Sequence, residues 1–166
     1  MKRKHVLIVL LAAVLLFLIG WRLWPHSFRA IASEEAFSEI SIQVSETGLS
    51  DGAPVINFYQ LVIDGPENEH YAAVLSILEG TGYRSDFRNL LWKSDSLGSD
   101  SETASRFAAV TLTGESGTVW TAFFPDSRVV GISQNQHSGF LRYHPADHSV
   151  SDRLAAYAIE HGTLQK

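Results

Sequence analysis

From Val6 to Ile19 the chain has no polar residue, and the sequence MKRKHVLIVLLAAVLLFLIGWRLWPH places three basic residues immediately before this run. A helix of about 20 residues rises roughly 30 Å, the thickness of a bilayer's hydrocarbon core. This stretch therefore limits what the chain can be more than anything after it. Lys2, Arg3 and Lys4 are expected on the cytoplasmic side, leaving the C-terminal part outside. The expectation is a bilayer contact through residues 5–24, with Trp21, Arg22 and Trp24 at the membrane interface, where indole rings settle and arginine snorkels. Pro25 marks the end of the helix.

A secretory signal peptide begins in the same way but has a shorter apolar core and small residues at its cleavage site. Ala30-Ile31-Ala32 supplies that pattern, so cleavage after Ala32 is the alternative to a retained anchor. The site lies beyond Trp24, Pro25, Phe28 and Arg29, a bulky approach for a peptidase, and the anchor is the expected outcome. Residues 1–26 then form the cytoplasmic tip and anchor, 27–36 a linker, and 37–166 a domain outside the cell membrane.

Charge narrows the partners. Four of the 13 Lys and Arg fall in the first 26 residues, whereas all 18 Asp and Glu come later. The outer domain is thus markedly acidic, without the basic footprint that nucleic-acid phosphates require. About 140 residues is an ordinary size for one domain. The chain has no cysteine, which rules out disulfides, thiol catalysis and a cysteine-linked lipid. A bacterial envelope is the setting that fits an outer domain built without bridges.

Within the domain, Ile40, Ile42 and Val44 alternate with polar residues, as on a half-buried strand. After the turn cluster GLSDGAP (48–54), residues 55–63 read as a second strand. The segment DGPENEHYAAVLSILEGTG predicts a helix capped by Asp64, with Tyr71, Val74, Leu75 and Leu78 on its apolar face and Gly80 or Gly82 at its end. Residues 83–93 fit either a strand or a short helix, and 94–105 form a polar loop. Strands follow over 107–113, 118–124, 128–133 and 140–144, joined by short connections that permit only antiparallel neighbours. A final helix is expected over 150–161, with Ser149 and Asp152 as a capping box and Gly162 as its stop. The sum is an α+β fold: an N-terminal transmembrane helix, then a small antiparallel sheet with two helices packed on one face.

The search for chemistry yields two candidates. His137, His144 and His148, beside Asp147 and Asp152, form a cluster that could ligate zinc; Pro145 removes helical geometry from His144 and weakens the spacing. Asp95, Asp100 and Glu102 lack the register of a calcium loop, and Ser116 in GESG is not a nucleophile elbow. The meander offers Val119, Thr121 and Phe123 to one side and Trp120, Ala122 and Phe124 to the other. Trp120, Phe124 and Tyr143 are the candidate contact surface for another envelope protein. The leading expectation is a non-catalytic, membrane-anchored interaction domain; a metal-dependent envelope enzyme using the three histidines is the alternative.

Overall fold

The computed structural model describes residues 3–32, 34–50, 53–90, 106–135 and 139–165. It contains an eight-stranded antiparallel sheet and four α-helices. Helix α1 spans Arg3–Leu23 and α2 spans Phe28–Ile31. The strands are β1 (Phe37–Ser50), β2 (Ala53–Ile63), β3 (Tyr83–Ser85), β4 (Arg106–Gly114), β5 (Val119–Phe124), β6 (Val130–Gln134), β7 (Leu141–Pro145) and β8 (Thr163–Gln165). Helices α3 (Tyr71–Glu79) and α4 (Val150–His161) complete the domain. The strand order is β3-β7-β6-β5-β4-β1-β2-β8.

Alternation decides which way each strand faces. Ile40, Ile42 and Val44 of β1 pair in register with Leu112, Val110 and Ala108 of β4, and all six are at most 1% exposed. The inward row continues through Trp120, Ala122 and Phe124 of β5, then Val130 and Ile132 of β6. Helix α3 closes this face with Tyr71, Val74, Leu75, Ile77 and Leu78, and α4 with Val150, Leu154, Ala155 and Ala158. Both helices thus pack on one side of the sheet.

Several local expectations change. The first hairpin is longer than expected, because most of GLSDGAP is strand and only residues 51 and 52 lie between β1 and β2. Asp64 does not cap α3. Gly65, at φ +80°, turns the chain first, and the Asn68 side chain accepts from the His70 N–H at 3.0 Å before the helix begins at Tyr71. The capping box of α4 is also absent: Ser149 makes no side-chain cap, and its N–H donates to Asp147 Oδ1 at 2.8 Å. The ambiguous stretch after Gly82 is strand and then a single 3-10 turn, Phe87–Leu90. Strand β8 was not anticipated; it pairs Thr163–Gln165 with Phe58–Gln60 of β2.

The largest departure is the expected linker. Residues 27–36 do not hold the domain away from α1. Phe28 is fully buried, its ring 5.7 Å from that of Tyr83. His26 and Tyr83 exchange two backbone hydrogen bonds of 2.9 and 2.8 Å. Arg29 donates to Glu79 and to the Glu35 carbonyl, both at 2.6 Å, and lies over the Phe37 ring. Contacts with the domain therefore begin at His26, eleven residues before the boundary expected at Phe37.

Among the described residues no helix is long and apolar enough to cross a membrane. The α1 side chains that are described run from His5 to Trp21, somewhat short of the roughly 20 residues of a full span. Within that stretch Leu7, Leu11, Leu16 and Phe17 are each more than 60% exposed, so these side chains are largely uncovered by the other described residues, and α1 meets the domain chiefly near β3.

Replacing Phe28 with Ala should lower stability by about 3–5 kcal/mol, the usual cost of emptying a buried phenylalanine site. Phe87→Ala, at an exposed position, should shift it by no more than about 0.5 kcal/mol. Denaturant titration of the full chain in detergent separates the two.

Candidate functional site

Each strand has two faces, and the partner expectation selected the inner one. Trp120, Phe124 and Tyr143 are 6%, 0% and 8% exposed and belong to the core. They cannot act as an open contact surface, because α3 and α4 cover the face they point to. The opposite face carries the exposed apolar residues. Phe58 on β2 and Phe107 on β4 flank Ser45 of β1 in register. Phe107 stacks on Phe123 of β5 with centroids 5.5 Å apart. Ile56 and Val62 extend the patch along β2. By register Gln60 and Gln43 share the row of Phe123, and Thr111 and Thr121 the row of Val62, so polar side chains are interleaved with these apolar ones across β2, β1, β4 and β5.

The metal expectation divides. His137 lies outside the described residues, as do Asp95, Asp100 and Glu102 and the side chain of Arg22. His144 and His148 do line one cleft of about 320 Å³ with Pro25, Gly82, Arg84, Pro145 and Ala146. His144, however, has both ring nitrogens engaged: Nδ1 lies 3.1 Å from the Arg128 carbonyl oxygen and Nε2 3.1 Å from Asp86 Oδ2. A metal would have to displace one of these partners. Among the described residues no group of three or more His, Asp or Glu is arranged to hold a metal ion.

Asp86 is the centre of a polar knot on this side of the sheet. It caps the 3-10 turn through the Arg88 N–H at 2.8 Å, and its Oδ2 lies 3.8 Å from the buried Arg142 Nε. Asn89 pins the same strand by donating to the Arg142 carbonyl and accepting from the Arg142 N–H. Burial alone would raise the Asp86 carboxyl. The Arg88 N–H and the hydrogen bond and charge of His144 outweigh it, holding the group below the ordinary value of 3.8.

A second cluster joins residues that are far apart in sequence. Tyr157 and His161 stand one turn apart on α4, and their rings meet His70 at the start of α3, with His70 and His161 centroids 4.9 Å apart. The Tyr157 hydroxyl is 2.9 Å from His70 Nδ1. Burial, then Glu69 and Glu160, push its phenol upward, so it stays protonated and can donate to that nitrogen. His70 and His161 open onto a cleft of about 420 Å³ with Gln60, Val62, Gly162, Thr163 and Gln165. The cleft offers ring faces, imidazole nitrogens and amide side chains. Sequence reasoning passed over it because His70 and Tyr157 are 87 residues apart; the i, i+4 pair Tyr157 and His161 was the available signal.

Comparison with protein-family models, curated proteins and solved structures finds no match for this chain. Function must therefore be argued from the residues themselves.

The Asp86 shift has a sign that can be checked. Its carboxyl titrates lower in the folded protein than in the unfolded chain, so on acidification the unfolded chain takes up the proton first. Its stabilising contribution is complete above about pH 5 and is lost as pH falls through the folded value, below 3.8. Asp86→Asn should be less stable than the parent at neutral pH and should lose less further stability between about pH 5 and pH 2. Denaturation midpoints of both proteins across that range test it.

Proposed function

We propose that the chain is a single-pass protein of the bacterial envelope, with its N-terminus cytoplasmic, whose outer domain binds another envelope protein and performs no chemistry itself. One observation carries this reading: Phe28, which a cleavage after Ala32 would remove, is a fully buried core residue. A released domain beginning at residue 33 would lack the ring that stacks on Tyr83 and the His26 backbone pair. Retention of the N-terminal segment and completion of the fold are then the same requirement.

The exposed side chains of α1 support a lipid environment. A helix that is apolar on all sides and leaves most of that surface uncovered needs an apolar surrounding. The basic tip and the exposed Trp21 and Trp24 fit the two interfaces of such a span. The partner surface is assigned to the outer sheet face through Phe58, Phe107 and Phe123, in place of Trp120, Phe124 and Tyr143. Aromatic residues are enriched in protein–protein interfaces relative to the rest of the surface. The acidic character of the domain argues against nucleic acid as a partner.

Two measurements test the proposal. Alkaline carbonate extraction with N-terminal sequencing should leave the chain in the membrane fraction with its first residues intact; a soluble product starting at Ser33 would reject it. Photo-crosslinking in intact cells should yield one dominant adduct from position 107. The pair Phe58→Ser and Phe107→Ser should reduce it by about tenfold or more, as expected for two hot-spot residues at roughly 1 kcal/mol or more each. An unchanged adduct from a folded double variant would rule out this face.

A further inference from the structure

The cleft between Pro25, Gly82, Arg84, His144 and His148 stands where α1 meets the domain, and the function proposed above makes no use of it. His26 and Tyr83, next in sequence to Pro25 and Gly82, exchange their backbone hydrogen bonds beside it, and Gly82 approaches Pro25 so closely that a Cβ there would lie 3.2 Å from the proline ring. Arg84 pairs with His144 across β3 and β7 and is exposed on the edge strand. Its volume, about 320 Å³, is at the small end of ligand pockets and suits a compact polar group.

The charge around it is unusual for this molecule. The domain has twice as many acidic as basic residues, yet Arg84 forms no ion pair among the described residues. The two carboxylates nearest in sequence to the cleft residues are already engaged. Asp86 meets His144 at 3.1 Å and Arg142 at 3.8 Å; Asp147 accepts from the Ser149 N–H at 2.8 Å and lies 3.5 Å from Arg153. An uncommitted guanidinium and the exposed His148 imidazole therefore share a cavity beside Pro25, one residue beyond the exposed Trp24. That position is two residues past the end of α1 at Leu23 and four past Trp21.

We propose that this cleft binds the phosphate of an anionic lipid headgroup at the point where the chain leaves the bilayer. The proposal rests on the anchor reading above. Arg84 supplies the charge-assisted hydrogen bonds that suit a phosphate, and His148 an additional N–H donor. His144, with both nitrogens occupied, acts as a wall. Elsewhere the acidic surface repels such lipids, so the preference is local and specific to the headgroup in contact.

The test uses the full chain in nanodiscs of phosphatidylcholine, alone or mixed with phosphatidylglycerol. Lipid retained after mild delipidation is identified by native mass spectrometry. Phosphatidylglycerol should be enriched about fivefold over its share of the disc, the factor expected for one basic residue near an anionic surface. Arg84→Gln combined with His148→Gln should abolish the enrichment, whereas Arg153→Gln should retain it. Equal retention of both lipids by a chain that remains in the disc would overturn the headgroup site and leave the anchor intact. Failure of the chain to enter discs would overturn both. Saturable displacement of His148 ring resonances by inorganic phosphate in pure phosphatidylcholine discs, without phosphatidylglycerol enrichment, would assign the cleft to a free anion and reject the lipid.

Discussion

Everything about how this protein is put together depends on a pair of backbone hydrogen bonds between His26 and Tyr83 and on the ring that follows them. Without that bridge, β3 would be a three-residue edge strand with its outer side unpaired, and α1 would end in a free chain. With it, Tyr83 is held between α2 and the core, and its hydroxyl donates to the Leu78 carbonyl at 2.8 Å. Burial and the charge of Asp147 push that phenol well above its ordinary range, so the group stays a donor under all ordinary conditions. The N-terminal segment is therefore part of the folding unit. A domain-boundary argument based on where polarity begins cannot find this, because one aromatic residue, Phe28, does the joining.

Polarity patterns made much of the architecture legible. Ile40, Ile42 and Val44 alternate as a strand should, and they are buried as a set. Tyr71, Val74, Leu75 and Leu78 define the buried face of α3. The meander follows from turn spacing. What alternation cannot supply is the side on which the helices will lie. It divides Val119, Thr121 and Phe123 from Trp120, Ala122 and Phe124, but both groups contain large rings. The helices cover the second group, and that leaves Phe107 exposed and half-buried Phe123 beside it on the opposite face. Helix starts were misplaced for a related reason. Asp64 is a competent cap, yet Gly65 at positive φ takes the chain into a turn first, and tertiary geometry overrides the local preference.

The candidate sites were less legible still, because sequence proximity is a poor guide to what strands bring together. His144 and His148 do share a cleft, but the partner that determines the chemistry of His144 is Asp86, 58 residues away. Likewise the ring cluster of His70, Tyr157 and His161 exists only because the start of α3 meets the end of α4. Spacing rules capture ligands on one element; they are silent about corners where two elements cross.

The bridge also removes slack. A protein tethered by a loose segment samples a hemisphere above its attachment point and can meet a partner in any heading. Here α2 and the His26–Tyr83 pair leave only Trp24 and Pro25 between the end of α1 and the first residue held by the sheet. So short a link shortens the lever between the helix and the sheet, and the sheet's reach around the end of α1 is that of two residues rather than of a ten-residue segment.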